Sequence, residues 1–127
     1  MPIPSRVLAA GNAPLSALNI CGDAASALVA VGSTQAGALQ LSSVYNAITT
    51  SSASTGLKLP PCEAGALILI YNLSGQTLQI YTNETSGVTM NSAVAGSTGV
   101  QVGNTKTGIF FADTATHWCC SVALTAT

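Results

Sequence analysis

Very few side chains of this sequence can take part in acid–base or nucleophilic chemistry. The acidic residues, the basic residues and the single histidine are Asp23, Glu63, Glu84, Asp113, Arg6, Lys58, Lys106 and His117. Catalysis needs such groups to converge in a pocket. Asp113 and His117 are close in sequence, but serines are so abundant that a match to a catalytic triad carries almost no information. Solvated turns explain Glu84 and Asp113, so we expect neither a catalytic residue nor an enzyme.

The cysteines, Cys21, Cys62, Cys119 and Cys120, do not have the spacing of a metal site. None of them forms a Cys-x-x-Cys pair, which is a common signature of structural zinc. In a strand, the adjacent Cys119 and Cys120 would point to opposite faces and would not share a metal. We therefore expect no metal and no cofactor, and we interpret the cysteines as buried free thiols. A disulfide between Cys62 and a strand cysteine is the alternative that the sequence leaves open.

The composition is rich in apolar residues and poor in charge. Hydrophobic residues make up 48% of the 127 residues and charged residues only 6%, whereas ordinary soluble domains carry about 25% charged residues. The formal net charge of -1 gives no electrostatic footprint for nucleic acid or for an anionic membrane. No apolar run approaches the ~18–20 residues of a membrane helix. A surface with so few charges favours association with a partner or with copies of the chain itself. The alternative is that a neutral surface of serine and threonine keeps the protein in solution without a partner.

Residues 1–23 carry prolines and glycines at irregular spacing and predict an extended arm rather than a helix. Such an arm is costly to order alone, so we expect it to lie on another subunit or a partner, with a frayed terminus as the alternative. The candidate interface residues are Met1, Ile3, Arg6, Val7, Leu15, Leu18 and Ile20. Gly11 and Pro14 interrupt the apolar core that an export signal needs, so we expect none.

Residues 24–127 show the pattern of a single all-β domain. An apolar run at 64–71 is followed by a polar turn and an alternating segment at 77–81, and we predict that the two pair as a central hairpin. A last hairpin is predicted from 109–112 and 117–124. Short strands separated by glycine-containing and polar turns indicate a small antiparallel sandwich or barrel, because the chain has no room for helical crossovers.

The pattern also predicts which side chains share a face of their strand. Tyr45 and Ala47 should share one face of their strand, and Asn46 and Ile48 the other. Core packing should account for most of the aromatic residues. The segment 109–111 is apolar on both faces, so one of its phenylalanine rings should pack against a neighbour or a second sheet.

Several short motifs follow one another in an order that resembles a known family. They are Gly32-Ser-Thr-Gln-Ala-Gly, Val44-Tyr-Asn-Ala-Ile-Thr-Thr, Thr55-Gly-Leu-Lys-Leu-Pro, Gly65, Tyr71-Asn72, Leu78-Gln-Ile-Tyr81 and Thr116-His-Trp118. In this order the chain from Gly32 to Leu124 is similar to head decoration (cement) or head-fibre proteins of tailed bacteriophages, and to related modules of tail appendages.

The resemblance implies a non-enzymatic virion structural protein that binds the outside of an assembled capsid and stabilises it. Its partners would be the major capsid protein and two further copies of itself in a homotrimer, with no nucleic acid and no membrane. It would be made in the host cytoplasm and reside on the capsid exterior. A tail or fibre appendage module that binds a receptor or a glycan is the alternative.

Overall fold

A computed structural model describes residues 8–11, 13–16, 22–94 and 99–122. Within these ranges the chain is mostly strand: β1 Ala24–Val29, β2 Leu39–Gln40, β3 Tyr45–Thr50, β4 Gly56–Lys58, β5 Leu67–Asn72, β6 Leu78–Tyr81, β7 Thr89–Met90, β8 Ala93–Val94, β9 Val100–Val102, β10 Thr107–Thr114 and β11 His117–Val122. The prediction of an all-β domain is confirmed. No helical segment within these ranges has the length and apolar character that crossing a bilayer requires.

The strands form two mixed sheets. The larger sheet has the order β1-β3-β5-β10-β11-β7-β8, and the smaller has the order β2-β4-β6-β9. Pairs β1–β3 and β3–β5 are parallel, whereas β5–β10 and β10–β11 are antiparallel. The expectation of an antiparallel fold is therefore wrong in this respect. From β1 to β6 the chain alternates between the two sheets. Two parallel neighbours in one sheet are therefore connected through a strand of the other sheet, and no crossover helix is needed.

The predicted central hairpin is also wrong. Strand β5 pairs with β3 and β10 in the larger sheet, while β6 pairs with β4 and β9 in the smaller sheet. The buried Asn72 at the end of β5 accounts for this change of sheet. Its amide nitrogen donates to the carbonyls of Gln76 (2.7 Å) and Val102 (2.8 Å), and its oxygen accepts from the Ser74 hydroxyl (2.7 Å). The bonds to Gln76 and Ser74 hold the loop after β5, and the bond to Val102 ties the end of β5 to β9, the strand that pairs with β6 in the smaller sheet.

The last hairpin is confirmed. Strands β10 and β11 pair antiparallel around a turn at 115–116. The alternation predicted for β3 is confirmed as well, because Asn46 and Ile48 are buried while Tyr45 is exposed and Ala47 is half-buried. Periodicity is a reliable guide here because β3 has one face on the core and the other outside.

The described residues form one hydrophobic core that includes side chains from both sheets. Its buried members come from both sheets and their connections: Ala30, Leu41, Ile48, Leu57, Leu59, Ile68, Ile70, Leu78, Ile80, Val88, Met90, Val102, Phe110, Ala112 and Trp118. Phe110 and Trp118 are its largest side chains and are fully buried. Burial of apolar area on this scale is the main stabilising contribution to a domain of this size. It also fixes the direction of every alternate residue on β5, β10 and β11.

The leading segment differs from its prediction where it is described. Residues 8–9 and 14–16 are helical, whereas the sequence predicted extended backbone. Prolines are tolerated in the first turn of a helix, where their missing N–H would have no partner in any case. Pro14 is the first of the helical residues 14–16, so the proline spacing in this segment did not exclude a helical turn.

Candidate interaction face

The outward side of the larger sheet carries apolar side chains in aligned cross-strand rows. Strand register places Tyr45 beside Leu69 and Leu69 beside Ile109. A second row joins Leu67 to Phe111, and a third joins Ala47 to Tyr71. We call this surface the apolar face, and it consists of Tyr45, Ala47, Leu67, Leu69, Tyr71, Ile109 and Phe111. Cross-strand neighbours on one side of a sheet lie close enough to form a continuous surface.

The larger side chains of the apolar face are unusually exposed. Tyr45, Leu67, Tyr71, Ile109 and Phe111 each leave 42–47% of their surface uncovered. With about 150–250 Å² of surface on a large side chain, these fractions amount to roughly 400 Å² together, the size of the largest and often functional patches on monomeric proteins. None of the seven residues of the apolar face carries a charge. A surface of this kind is typical of protein–protein contact.

A shallow open cavity lies at one end of the apolar face. It has a volume of about 270 Å³. The residues that line it are Ala24, Ala25, Ser26, Tyr45, Asn46, Ala47, Leu69, Tyr71 and Thr107. Its walls are almost entirely apolar, and the tyrosines come from neighbouring strands. The cavity therefore fits an apolar side chain from a partner better than a polar ligand, which needs several convergent hydrogen-bonding groups.

Strand β1 closes this end of the sheet and is held by Asp23. The Asp23 carboxylate accepts a hydrogen bond from the Val44 backbone N–H (2.9 Å), and the Asp23 carbonyl accepts one from the Tyr45 N–H (2.9 Å). The bond from Val44 holds the pKa of Asp23 below its ordinary value. In β1 itself, Ala27 has a φ of 57° beside a shift in strand register. Such a bulge on an edge strand hinders the addition of further strands.

The residues predicted as an interface lie mostly outside the described part of the chain. Met1, Ile3, Arg6, Val7, Leu18 and Ile20 fall outside it. Leu15 is described, lies in the helical residues 14–16, and is 76% exposed. Leu8 is also exposed. Leu8 and Leu15 are thus both exposed, and the interface role of the segment stays a prediction.

The apolar face was not predicted from the sequence, because most aromatic residues were expected to lie in the core. Trp118 and Phe110 are buried, but Tyr45, Tyr71 and Phe111 are exposed. One signal was available. The segment 109–111 is apolar on both faces, and its outward members are indeed part of the apolar face. The sequence contains no comparable signal for the two tyrosines. Alternation in a strand separates its two faces, but it does not indicate whether the second face is buried or exposed.

His117 lies at the start of β11, beside Asp113 and Cys119. Its Nδ1 atom is 2.7 Å from Asp113 Oδ1 and 3.7 Å from Cys119 Sγ. The hydrogen bond from His117 holds the pKa of Asp113 below its ordinary range. In a catalytic triad the acid and the nucleophile bind opposite nitrogens of the imidazole. Here both partners approach the same nitrogen, so this group does not have the geometry of a proton relay.

The cysteines of the described residues are free thiols. Cys62, Cys119 and Cys120 are half-buried rather than fully buried, and Cys21 lies outside the described residues. Cys62 is held in a loop, where its N–H donates to Glu84 Oε1 (2.8 Å). Burial raises the pKa of Cys62 and of Cys120. These two thiols are therefore protonated at neutral pH and are poor nucleophiles.

No protein-family model matches the chain, and neither a curated protein nor a solved structure is significantly similar to it. A functional assignment therefore depends on the chain's own residues and on the motif order described above.

Proposed function

We propose that the protein is a non-enzymatic structural component of a phage virion. In this proposal it binds the outside of the assembled capsid as a homotrimer and stabilises the shell. The stabilisation follows from mass action, because a protein that binds the assembled shell and not its free subunits shifts the equilibrium towards assembly. We also infer that the two sheets form a small β-sandwich, with the apolar face on the outside of its larger layer.

The observation that carries the proposal is the apolar face. Its exposed side chains are aligned in rows on a rigid sheet, and they carry no charge that would have to be desolvated on binding. Its area of roughly 400 Å² is about half of what one partner contributes to an interface of standard size, about 800 Å². The apolar face alone would therefore bind weakly, and a second contact is needed.

The leading segment is the proposed second contact. Leu8 and Leu15 are exposed in its described part, and the candidate residues Met1, Ile3, Arg6, Val7, Leu18 and Ile20 belong to the same segment. Two linked contacts raise affinity through effective concentration, and a trimer multiplies the gain. Two linked contacts on each subunit of a trimer are suited to binding many equivalent positions on a symmetric shell.

The test uses particles assembled without the protein, to which purified variants are added. In the double variant Ile109→Thr/Phe111→Thr both residues stay compatible with a strand, while the apolar face loses the two side chains that β10 contributes to it. At a concentration where the wild type fills about nine-tenths of the symmetric positions in particle images, we expect the double variant to fill less than about a tenth of them. This change corresponds to a roughly 80-fold weaker Kd, or about 2.6 kcal/mol.

Val31→Thr is the matched control, because Val31 is exposed to a similar degree but lies outside the apolar face. Full occupancy by the double variant would refute the role of the apolar face. Deletion of residues 1–21, which leaves Asp23 and its bonds in place, tests the leading segment separately. A wild-type protein that does not bind the particle at all would refute the proposed function as a whole.

The alternative is a tail or fibre appendage module for a receptor or glycan. The cavity beside Tyr45 and Tyr71 favours it, since aromatic rings often stack on sugars. However, its almost entirely apolar walls offer few partners for the hydroxyl groups of a glycan. Specific binding on a glycan array that is lost in Tyr71→Ala would establish the alternative in place of capsid binding.

A further inference from the structure

We propose that Asp113, His117 and Cys119 form a binding site for a divalent transition metal ion of the zinc class. The proposal does not rest on the proposed capsid role, although Cys119 pairs with Phe111 of the apolar face across β10 and β11. The site lies at the end of the β10–β11 hairpin, where the three side chains are half-buried or exposed. One potential ligand atom from each of the three residues lies within 4.8 Å of the other two. Among the described residues, these three side chains form the cluster that could hold a metal ion.

The strand geometry explains how the three residues meet. His117 and Cys119 are two positions apart on β11, so their side chains point to the same side of the sheet. On the partner strand, Ala112 pairs with Trp118 and Thr114 pairs with His117, which leaves Asp113 as an extra, unpaired residue. Such a bulge redirects a side chain, and bulges are common next to functional sites. Here the bulge brings the Asp113 carboxylate to within 2.7 Å of His117 Nδ1.

The observed distances are close to those of a tetrahedral zinc site. Zinc lies ~2.3 Å from sulfur and ~2.0–2.2 Å from nitrogen or oxygen, so two ligand atoms of a tetrahedral site are about 3.4–3.6 Å apart. Cys119 Sγ is already 3.7 Å from His117 Nδ1. The Asp113 oxygen, at 2.7 Å from the same nitrogen, must withdraw by roughly 0.7 Å. An exposed carboxylate on a bulge can make this movement by rotating its side chain.

The chemistry of the donor set selects the kind of ion. A thiolate and an imidazole favour zinc and similar transition metals, whereas magnesium and calcium require oxygen ligands. On binding, the Cys119 thiol gives up its proton to solvent, so one thiolate and one carboxylate balance the two charges of the ion. Three protein ligands leave the fourth tetrahedral position to water, as in open zinc sites.

The approach of both partners to one imidazole nitrogen supports the same conclusion. In a triad the acid and the nucleophile would occupy opposite nitrogens, as described above. Ligands of one ion must instead converge on one point, and the Asp113 and Cys119 atoms converge beside Nδ1 of His117. Nε2 of His117 is then free to donate a hydrogen bond to solvent or to a neighbouring group, as metal-bound histidines do.

The experiment titrates the full-length, metal-free protein with Co²⁺ in a non-thiol reductant, and then adds Zn²⁺. We expect one equivalent of Co²⁺ to give the near-ultraviolet charge-transfer band of a cobalt–thiolate bond and the visible bands of a tetrahedral ion. Zn²⁺ should abolish both and should raise the melting temperature. Cys119→Ser should remove the charge-transfer band, and Cys119→Ser, His117→Asn and Asp113→Asn should each weaken Zn²⁺ binding more than about tenfold.

Cys120→Ser and Cys62→Ser are the matched controls, because they remove neighbouring half-buried thiols that are not among the three ligands. Both should bind Co²⁺ and Zn²⁺ as the wild type does. Circular dichroism establishes that each variant is folded before titration. The absence of saturable binding to the wild type, a charge-transfer band that persists in Cys119→Ser, or its loss in a control variant would each overturn the proposal.

Discussion

Phe110 and Phe111 are neighbours on β10, yet they occupy two different environments. Phe110 points into the core and is 0% exposed, whereas Phe111 points outward and is 47% exposed. The same contrast extends across the sheet, where Ile70 is buried and the adjacent Tyr71 is exposed. Both sides of the larger sheet are thus apolar, but only one of them contributes to the buried core.

The contrast between the two sides indicates which of them is available to bind a partner. A sheet that is covered on one side normally carries polar residues on the other. Retention of tyrosine, leucine, isoleucine and phenylalanine on the uncovered side costs solubility unless something covers them. The inner side accounts for the stability of the domain, and the outer side accounts for its proposed binding. Each of the following predictions tests this separation.

The largest expected effect comes from identical substitutions at the two neighbouring phenylalanines. Phe110→Ala removes a fully buried ring and should lower the free energy of unfolding by about 3–5 kcal/mol. Phe111→Ala removes a ring from the uncovered side and should lower it by less than about 1 kcal/mol. Urea denaturation of both variants, followed by tryptophan fluorescence from the buried Trp118, measures the difference.

The slope of the transition on denaturant serves as the internal control, because it should be unchanged if both variants fold to the same state. Similar losses of stability at the two positions would mean that Phe111 is covered in solution. Self-association of the isolated protein would be the simplest cover, and light scattering would detect it.

The sequence was sufficient for the fold class and for most strand positions, because these depend on local patterns. Strand β3 and the β10–β11 hairpin follow from alternation and from a short turn. The partners of β5 and β6 could not be predicted in the same way. Their separation into two sheets involves the hydrogen bond from Asn72 to Val102, 30 residues away in sequence. Pairing between strands distant in sequence has no local signature.

The candidate site was less predictable than the fold. The rows of the apolar face depend on the register of three strands, and the sequence alone gave no register between them. The approach of Asp113 to His117 and Cys119 depends on a bulge at Asp113, which a periodic pattern does not reveal. The close spacing of Asp113 and His117 was visible in the sequence, but a hairpin turn of solvated residues explained it equally well.

A smaller effect is expected from enlarging one small side chain on each side of the sheet. Gly108 faces inward, and a Cβ atom there would lie 2.7 Å from Phe110 Cε2 and 3.0 Å from Val102 Cγ2. Because these side chains are fully buried, Gly108→Ala should lower the free energy of unfolding by about 1–3 kcal/mol.

Ala47→Val is the outward counterpart, since Ala47 lines the open cavity of about 270 Å³ and has room for a larger side chain. A β-branched residue also suits a strand, so stability should stay within about 0.5 kcal/mol of the wild type. Thermal and urea unfolding of both variants check this. A destabilising Ala47→Val would indicate that the cavity is closed in solution.

The smallest expected effect concerns Asp23, which holds the edge strand beside the apolar face. Its folded-state pKa lies below the ordinary 3.8 because its carboxylate accepts a hydrogen bond from the Val44 N–H. A carboxyl group with a lowered pKa contributes stability above its unfolded-state pKa, and this contribution is lost as the pH falls through the folded-state pKa. Asp23→Asn keeps an oxygen acceptor but not the charge. At pH 7 it should therefore be slightly less stable than the wild type, by well under about 1 kcal/mol for a largely solvated carboxylate.

This gap between wild type and Asp23→Asn should close as the pH falls from about 4 to 2, since the wild-type carboxylate is then protonated. Urea denaturation of both proteins at pH 7, 4 and 2.5 measures the gap directly. All other carboxyl groups are common to the two proteins, so their titration cancels in the difference. Phe111→Ala should show no such closure, because no titrating group is removed. A gap for Asp23→Asn that is constant from pH 7 to pH 2.5 would mean that Asp23 acts through its shape and not through its charge, and that the attachment of β1 does not depend on pH.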